Sequence, residues 1–285
     1  MGAYLMGVNW PGSPKSWSPI IGCGGDNLPC IARCWARKFC RRGMHPDHRK
    51  VAKWDGTVIL REKELEKPIH RSKPTLYAAC LLGDLFHRNV TVRQIAEVFD
   101  VMASATTECG KRHEHEEECW TGDPHTFILC TKRADRMRKV MSEELPDDFD
   151  EYWPGDCCAN VNRETGNWPL ENVWLGVSVS GDQDAHRVDD LLATPAAHHW
   201  LSYEPALSRL TLKPEWLEKL SCIITGCEAG PGRRSADDDW LDNIDRQCRG
   251  TNVKVFCKQR EFCGPKMRGV VKSMPLPTEW PWVRK

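Results

Sequence analysis

The chain has no window long and apolar enough to cross a bilayer as a helix, which takes about 20 consecutive apolar residues, and this excludes a helical membrane span. It also lacks net charge: 40 Lys and Arg offset 40 Asp and Glu, so bulk electrostatics gives no sign of a nucleic-acid partner, and only a local basic surface stays open. The opening residues, MGAYLMGVNWPGS, carry neither the basic start nor the apolar stretch of an export signal, and a cytoplasmic protein without a membrane partner is expected. No Gly-x-Gly-x-x-Gly follows a strand pattern and no P-loop is present, which weakens a dinucleotide or nucleotide-hydrolysing reading.

Cysteine and tryptophan, by contrast, are plentiful. Fifteen cysteines without an export signal argue for thiols kept reduced, against a disulfide framework. Most of the 13 tryptophans are expected in the core or its rim, with a minority lining a pocket. A 40% apolar content supports a real core, and 285 residues suit one large α/β domain or two small ones.

The densest cysteine pattern is IIGCGGDNLPCIARCWARKFC, residues 20–40, with six residues between Cys23 and Cys30 and three between Cys30 and Cys34. Three thiolates on one loop can hold three irons of a 4Fe–4S cluster and leave the fourth open. With an added histidine they can bind zinc, and they can also be ordinary buried cysteines; softness alone does not choose. A basic segment follows from Arg41-Arg42-Gly43-Met44 onward, expected to be helical in part and then irregular to Lys73.

Apolar runs of strand length recur at residues 75–82, 126–130, 173–179, 200–203, 222–225 and 253–257. Between them lie helical patterns, among them residues 92–105, a helix carrying Met137, Val140 and Met141, one carrying Val188 and Leu191, and one starting at Ser235. Alternation without hairpin signals predicts a parallel sheet with crossover helices, a partial (β/α) TIM-type barrel of about six strands in a single domain. Residues 106–123 read as a polar insertion, where His113, His115 and Cys119 suit a solvated face better than a metal site. Residues 144–170, with Cys157 and Cys158, read as loop, and residues 264–285 as an irregular tail. Polar residues gather just after the strands: Cys23 to Cys34, Asp84, Lys132, Ser178, Glu204, Glu228 and Lys258. In a barrel those strand ends share one rim, where active sites lie.

Several segments carry a likeness. They are IIGC at 20–23 leading to CWA at 34–36, GDLFH at 83–87, LCTKRADRM at 129–137, NVWLGVSV at 172–179, TPAA at 194–197, SYEP at 202–205, GCEAGPG at 226–232 and KQ at 258–259. With them the chain resembles a bacteriophage-associated three-cysteine family of radical S-adenosylmethionine-like proteins, in order from residue 20 to residue 259. The resemblance implies a radical-SAM-like partial barrel, a 4Fe–4S cluster on Cys23, Cys30 and Cys34, and S-adenosylmethionine chelated at the open iron. One electron from the cluster would cleave the sulfonium to a 5′-deoxyadenosyl radical that abstracts a substrate hydrogen. It also implies a reductant such as flavodoxin and a host bacterial cytoplasm. The favoured substrate is a modified thymine-type base in phage DNA, isomerised or otherwise rearranged; a peptide or small metabolite is the alternative, and a zinc-binding adaptor without catalysis is the other. This chain departs from the family in the last gap of the loop, three residues here against a usual two, which makes Cys40 the alternative third ligand.

The resemblance also suggests roles. Asp84 would receive the methionine amino group, Ser178 and Ser180 the ribose or carboxylate, and Glu204 ribose hydroxyls or substrate, with Glu228 a further cofactor contact. Lys132, Arg133, Arg233, Arg234 and Lys258 would meet anionic parts of substrate. Cys227 would donate a hydrogen atom, with Glu204 and Lys132 assisting catalysis, and His87 would neighbour the cluster. The ordinary alternatives are a turn aspartate, strand caps, ion pairs, solvated arginines and a buried cysteine.

Overall fold

The computed structural model describes residues 9–26, 28–108, 122–145, 168–229, 232–262, 270–273, 275–277 and 279–283. Its strands, in chain order, are β1 (Lys15–Trp17), β2 (Ile20–Ile21), β3 (Ile59–Leu60), β4 (Leu76–Ala79), β5 (Thr126–Thr131), β6 (Val173–Ser178), β7 (His198–Tyr203), β8 (Leu220–Gly226), β9 (Lys254–Phe262) and β10 (Val270–Ser273). Helices α1 (Trp35–Cys40), α2 (Pro46–Val51) and α3 (Glu62–Leu65) precede β4; α4 (Val92–Ser104), α5 (Ala134–Lys139), α6 (His186–Leu192), α7 (Pro214–Leu217) and α8 (Asp238–Cys248) follow in the crossovers.

Seven strands pair in parallel in the order β1-β4-β5-β6-β7-β8-β9, and the sheet curls into a half-barrel. An eighth strand, β10, closes one edge antiparallel to β9, and β2 pairs antiparallel with β3 in a separate two-stranded sheet. The α/β class and the partial barrel are therefore as the alternation predicts, with one parallel strand more than expected. The antiparallel pairs are departures, and β10 lies inside the tail expected to be irregular. For β10 the cause is local: β9 runs nine residues to Phe262, well past its expected end at residue 257, which leaves an edge to cover.

Period-2 alternation sorts the sheet into two cores. On one face Tyr77, Phe127, Leu129, Leu175, Val177 and Leu201 pack under the helices, whose Phe99, Met137, Val188 and Ile244 are all buried. On the other, Ala78, Ile128, Trp174, Trp200, Ile224 and Phe256 are covered by tryptophans from both chain ends, Trp10, Trp280 and Trp282. Being apolar on both faces is what parallel strands with crossovers require. Trp200 is wholly buried, and its indole N–H is satisfied by the Leu129 carbonyl (2.9 Å). Its neighbour across β6 is Gly176, where any Cβ would run into that indole. The high tryptophan count is thus mostly packing, and the tryptophans of the tail serve as a cover for this face.

Local signals fix the helix ends. Thr91 and Gln94 form a reciprocal capping box at α4. At α8 the cap is Asp237, which accepts from Asp239 N, and not Ser235; the run of side chains able to cap places the start two residues further on. The segment after the cysteine loop is more ordered than expected, holding α1, α2, β3 and α3. His113, His115, Cys119, Cys157 and Cys158 lie outside the described residues.

Candidate functional site at the strand ends

The parallel arrangement brings the C-terminal ends of β4 to β9 to one edge, and the cysteine loop lies over it. Gly22 forms a parallel bridge with Gly83, tying the loop directly to the turn after β4. Cys23 follows, nearly buried, and packs with Ile21, Ala36, Cys40, Val51, Trp54 and Leu82, with Cys34 half-buried against the same cluster. Cys30 sits in a 3-10 turn (Pro29–Arg33), and Cys34 is the residue before α1. The loop turns on Gly24 (φ +92°), where a Cβ would collide with the Trp54 carbonyl oxygen, and His87 Nε2 donates to the Gly24 carbonyl (2.8 Å). Gly24→Ala is expected to cost roughly 1–3 kcal/mol from the left-handed conformation alone, and more through the clash; a thermal melt that matched wild type would contradict this.

Arg133, just after β5, anchors the loop to the barrel. Its Nη2 donates to Cys23 Sγ (3.3 Å) and to Asp26 Oδ2 (2.5 Å), and its Nη1 donates to Asp84 Oδ2 (2.7 Å). Asp84 is itself buried and saturated, accepting from Phe86 N (3.0 Å) and Thr131 Oγ1 (2.8 Å) through Oδ1 and from Lys132 N (3.4 Å) through Oδ2. Asp84 thus serves in the structure as the anchor of this network. Burial pushes the Cys23 thiol up to about 11 against the pull of Arg133. Burial raises Cys30 too, with Lys132 and Arg133 opposing and Cys34 adding to the rise.

A second string of contacts continues along the edge. Lys132 Nζ donates to Ser178 Oγ (2.8 Å), which donates to the Glu204 carbonyl (3.2 Å). The Glu204 carboxylate takes Lys258 on Oε1 (3.2 Å) and the Trp10 indole on Oε2 (3.2 Å). A cavity of about 520 Å³ opens at the Lys132 end of this row, bordered by Asp26, Leu28, Arg88, Lys132, Arg133 and His186. That volume falls in the usual range for a small-molecule site.

The structure brings Cys23, Cys30, Asp84, Lys132, Arg133, Ser178, Glu204 and Lys258 into one contiguous edge. Ser180 stands slightly apart, where its N–H meets Asp184 (2.9 Å) and its carbonyl takes Leu207 and Ser208. Cys227 is buried beyond β8, its thiol raised to about 11 by that burial. Glu228 is bound by Arg234 Nη2 (2.8 Å) and by Arg33 (3.7 Å), and Arg33 also donates to the Gly232 carbonyl. Arg233 pairs with Glu261 (3.1 Å). Of the five cations expected to meet substrate, four are therefore engaged by carboxylates, and Lys132 alone is held by a hydroxyl.

Two participants escape a reading of the sequence. Asp26 is the only acid between Cys23 and Cys34, which singles it out once a basic partner is known. The bridge from Arg33 to Glu228 joins the cysteine loop to the turn after β8 across 195 positions and has no local signature.

Among the described residues no three His, Cys, Asp or Glu converge closely enough to hold a single metal ion. A cubane asks for something else, one thiolate on each of three irons, and three soft donors on a turn-rich loop are the donor set it takes. Cys40, the alternative ligand, is wholly buried at the end of α1 with its thiol raised to about 11 by that burial.

Fold and edge together define an α/β protein with a curled parallel sheet and a thiol-bearing loop across its strand ends. The chain belongs to the family described as "Protein of unknown function (DUF5131)", whose model matches residues 7–274. Comparison with curated proteins gives no match, and neither does comparison with solved structures.

Proposed function

We propose that the protein is a radical S-adenosylmethionine enzyme in which Cys23, Cys30 and Cys34 hold a 4Fe–4S cluster, and that its substrate is a base of a nucleic acid. The observation that carries this is the joining of the three-thiol loop to the C-terminal edge of a parallel half-barrel through Arg133, which touches Cys23 and Asp84 together. When bound, such a cluster supplies an electron and an open iron at which S-adenosylmethionine can be cleaved to begin hydrogen abstraction.

The chain's own residues have definable parts in this. Arg133 sets a guanidinium against the Cys23 sulfur and so favours thiolate, opposing the burial that favours thiol. Lys132 offers an ammonium held, among the described residues, by Ser178 alone, and a carboxylate or phosphate in the adjoining cavity would be a stronger partner than that hydroxyl. Glu204 presents carboxylate oxygens at the same edge for ribose hydroxyls, in exchange with Lys258 and Trp10. The base as substrate class rests on the phage association of the family that the sequence resembles, since phage genomes carry hypermodified bases, and a base in duplex DNA would have to be flipped out to reach the edge.

The test is anaerobic reconstitution with iron and sulfide, reduction with dithionite, and chromatography for 5′-deoxyadenosine after addition of S-adenosylmethionine. Formation of 5′-deoxyadenosine is expected even without substrate, through slow uncoupled cleavage. A reconstituted, reduced protein that forms none would overturn the proposal.

A further inference from the structure

We infer that the outer surface of α1 and α2, next to the cysteine loop, is a docking face for single-stranded nucleic acid. Residues 33–53 contain eight Lys and Arg and one acid, Asp47, a local excess of seven positive charges in a chain whose total is zero. Lys38, Arg41, Arg42, Arg49 and Lys53 are exposed, and none has a carboxylate in ion-pair contact among the described residues. This contrasts with Arg133, Arg233, Arg234 and Lys258, whose charge is already answered by carboxylates.

A second observation is independent of charge. Among the described residues, the large hydrophobic side chains left exposed are Trp35 at 50% and Met44 at 76%, and both lie in this same segment. An exposed indole amid unpaired arginines is the combination that single strands use: cations follow the phosphates while a ring stacks on a base. Arginine outnumbers lysine in the segment five to three, which suits planar recognition of phosphate.

Two other partners are disfavoured by the geometry. A lipid surface needs an apolar stripe, but Ala36 and Cys40 of α1 face the core and Phe39 packs against it. An acidic segment would meet the charges, but its carboxylates do not stack on the indole as a base does. The inference deepens the proposed function, since it names how a nucleic-acid substrate is held, and its test runs without S-adenosylmethionine.

The experiment is fluorescence anisotropy of the full chain with a labelled 20-mer single-stranded DNA across a salt series, beside an equal-length duplex and anionic phosphatidylserine vesicles. Tighter binding of the single strand is expected, weakening as salt rises. Arg41→Glu/Arg42→Glu should weaken it at least tenfold and flatten the log–log salt slope by about 1.4, two phosphate contacts at about 0.7 each. Trp35→Ala should weaken it about tenfold with the slope unchanged, since stacking is not ionic. Both variants change exposed side chains, and an unaltered circular dichroism spectrum would show that they fold. Salt-insensitive binding, equal affinity in the charge-reversed variant, or tighter binding to vesicles would each overturn the inference. If the strand binds while no 5′-deoxyadenosine forms, the docking face stands and the catalytic reading falls; the converse pair of results would do the opposite.

Discussion

Arg133→Met is expected to destabilise the protein by about 3–5 kcal/mol, the usual cost of removing one partner from a buried ion pair. Asp84 would keep its hydrogen bonds from Phe86 N, Lys132 N and Thr131 but lose the only cation that contacts it among the described residues, and it is too buried for water to compensate. Asp26 and the Cys23 sulfur would lose the same guanidinium, so the cysteine loop should loosen together with the strand ends. In a domain of this size the loss corresponds to a fall in melting temperature on the order of 10 °C. The control is Arg246→Met, which breaks an ion pair to Asp239 in which both side chains are about half exposed and should leave the melt unchanged. Equal melts for the two variants would show that Arg133 does not anchor the loop.

The largest functional effect is expected from Cys30→Ala. Each thiolate of a three-cysteine set binds its own iron, so the loss of one should abolish the cluster, its brown colour and all cleavage of S-adenosylmethionine. Cys40→Ala separates the two candidates for third ligand. Cys40 is packed among Ile21, Val51 and Trp54 and has no exposure, so its loss should cost some stability through the small cavity left behind but keep full iron content. Cys34, half-buried beside Cys30, should behave as Cys30 does. A Cys40→Ala protein without iron beside an iron-replete Cys34→Ala protein would move the third ligand to Cys40.

Much of the architecture was legible because it rests on local pattern. Long apolar runs such as VWLGVS in β6 are readable as strands buried on both faces, and the helical faces around Phe99 and Met137 follow from spacing alone. The gathering of polar residues after the strands was legible too, since parallel topology carries every strand end to the same edge. Partner choice among charges was not. Lys258 reads as an anion binder until the fold sets it against Glu204, and Arg234 until Glu228 turns back on it, because such pairings depend on three-dimensional proximity that sequence order does not encode. The position of Asp84 just after an apolar strand is readable from the sequence, while its saturation by four donors depends on Thr131, Lys132 and Arg133 arriving from another strand. The terminal tryptophans looked like an irregular tail because the face they cover is formed by strands scattered through the whole chain.

Electron paramagnetic resonance of the anaerobically reconstituted, dithionite-reduced protein is the sharpest test of the proposed cluster, because a cubane with an open iron would give a signal sensitive to what binds there. A reduced-cluster signal that changes shape when S-adenosylmethionine is added, and that is missing in Cys30→Ala, is expected. A signal indifferent to S-adenosylmethionine, or a protein that takes up one zinc per chain and gives no signal at all, would contradict it.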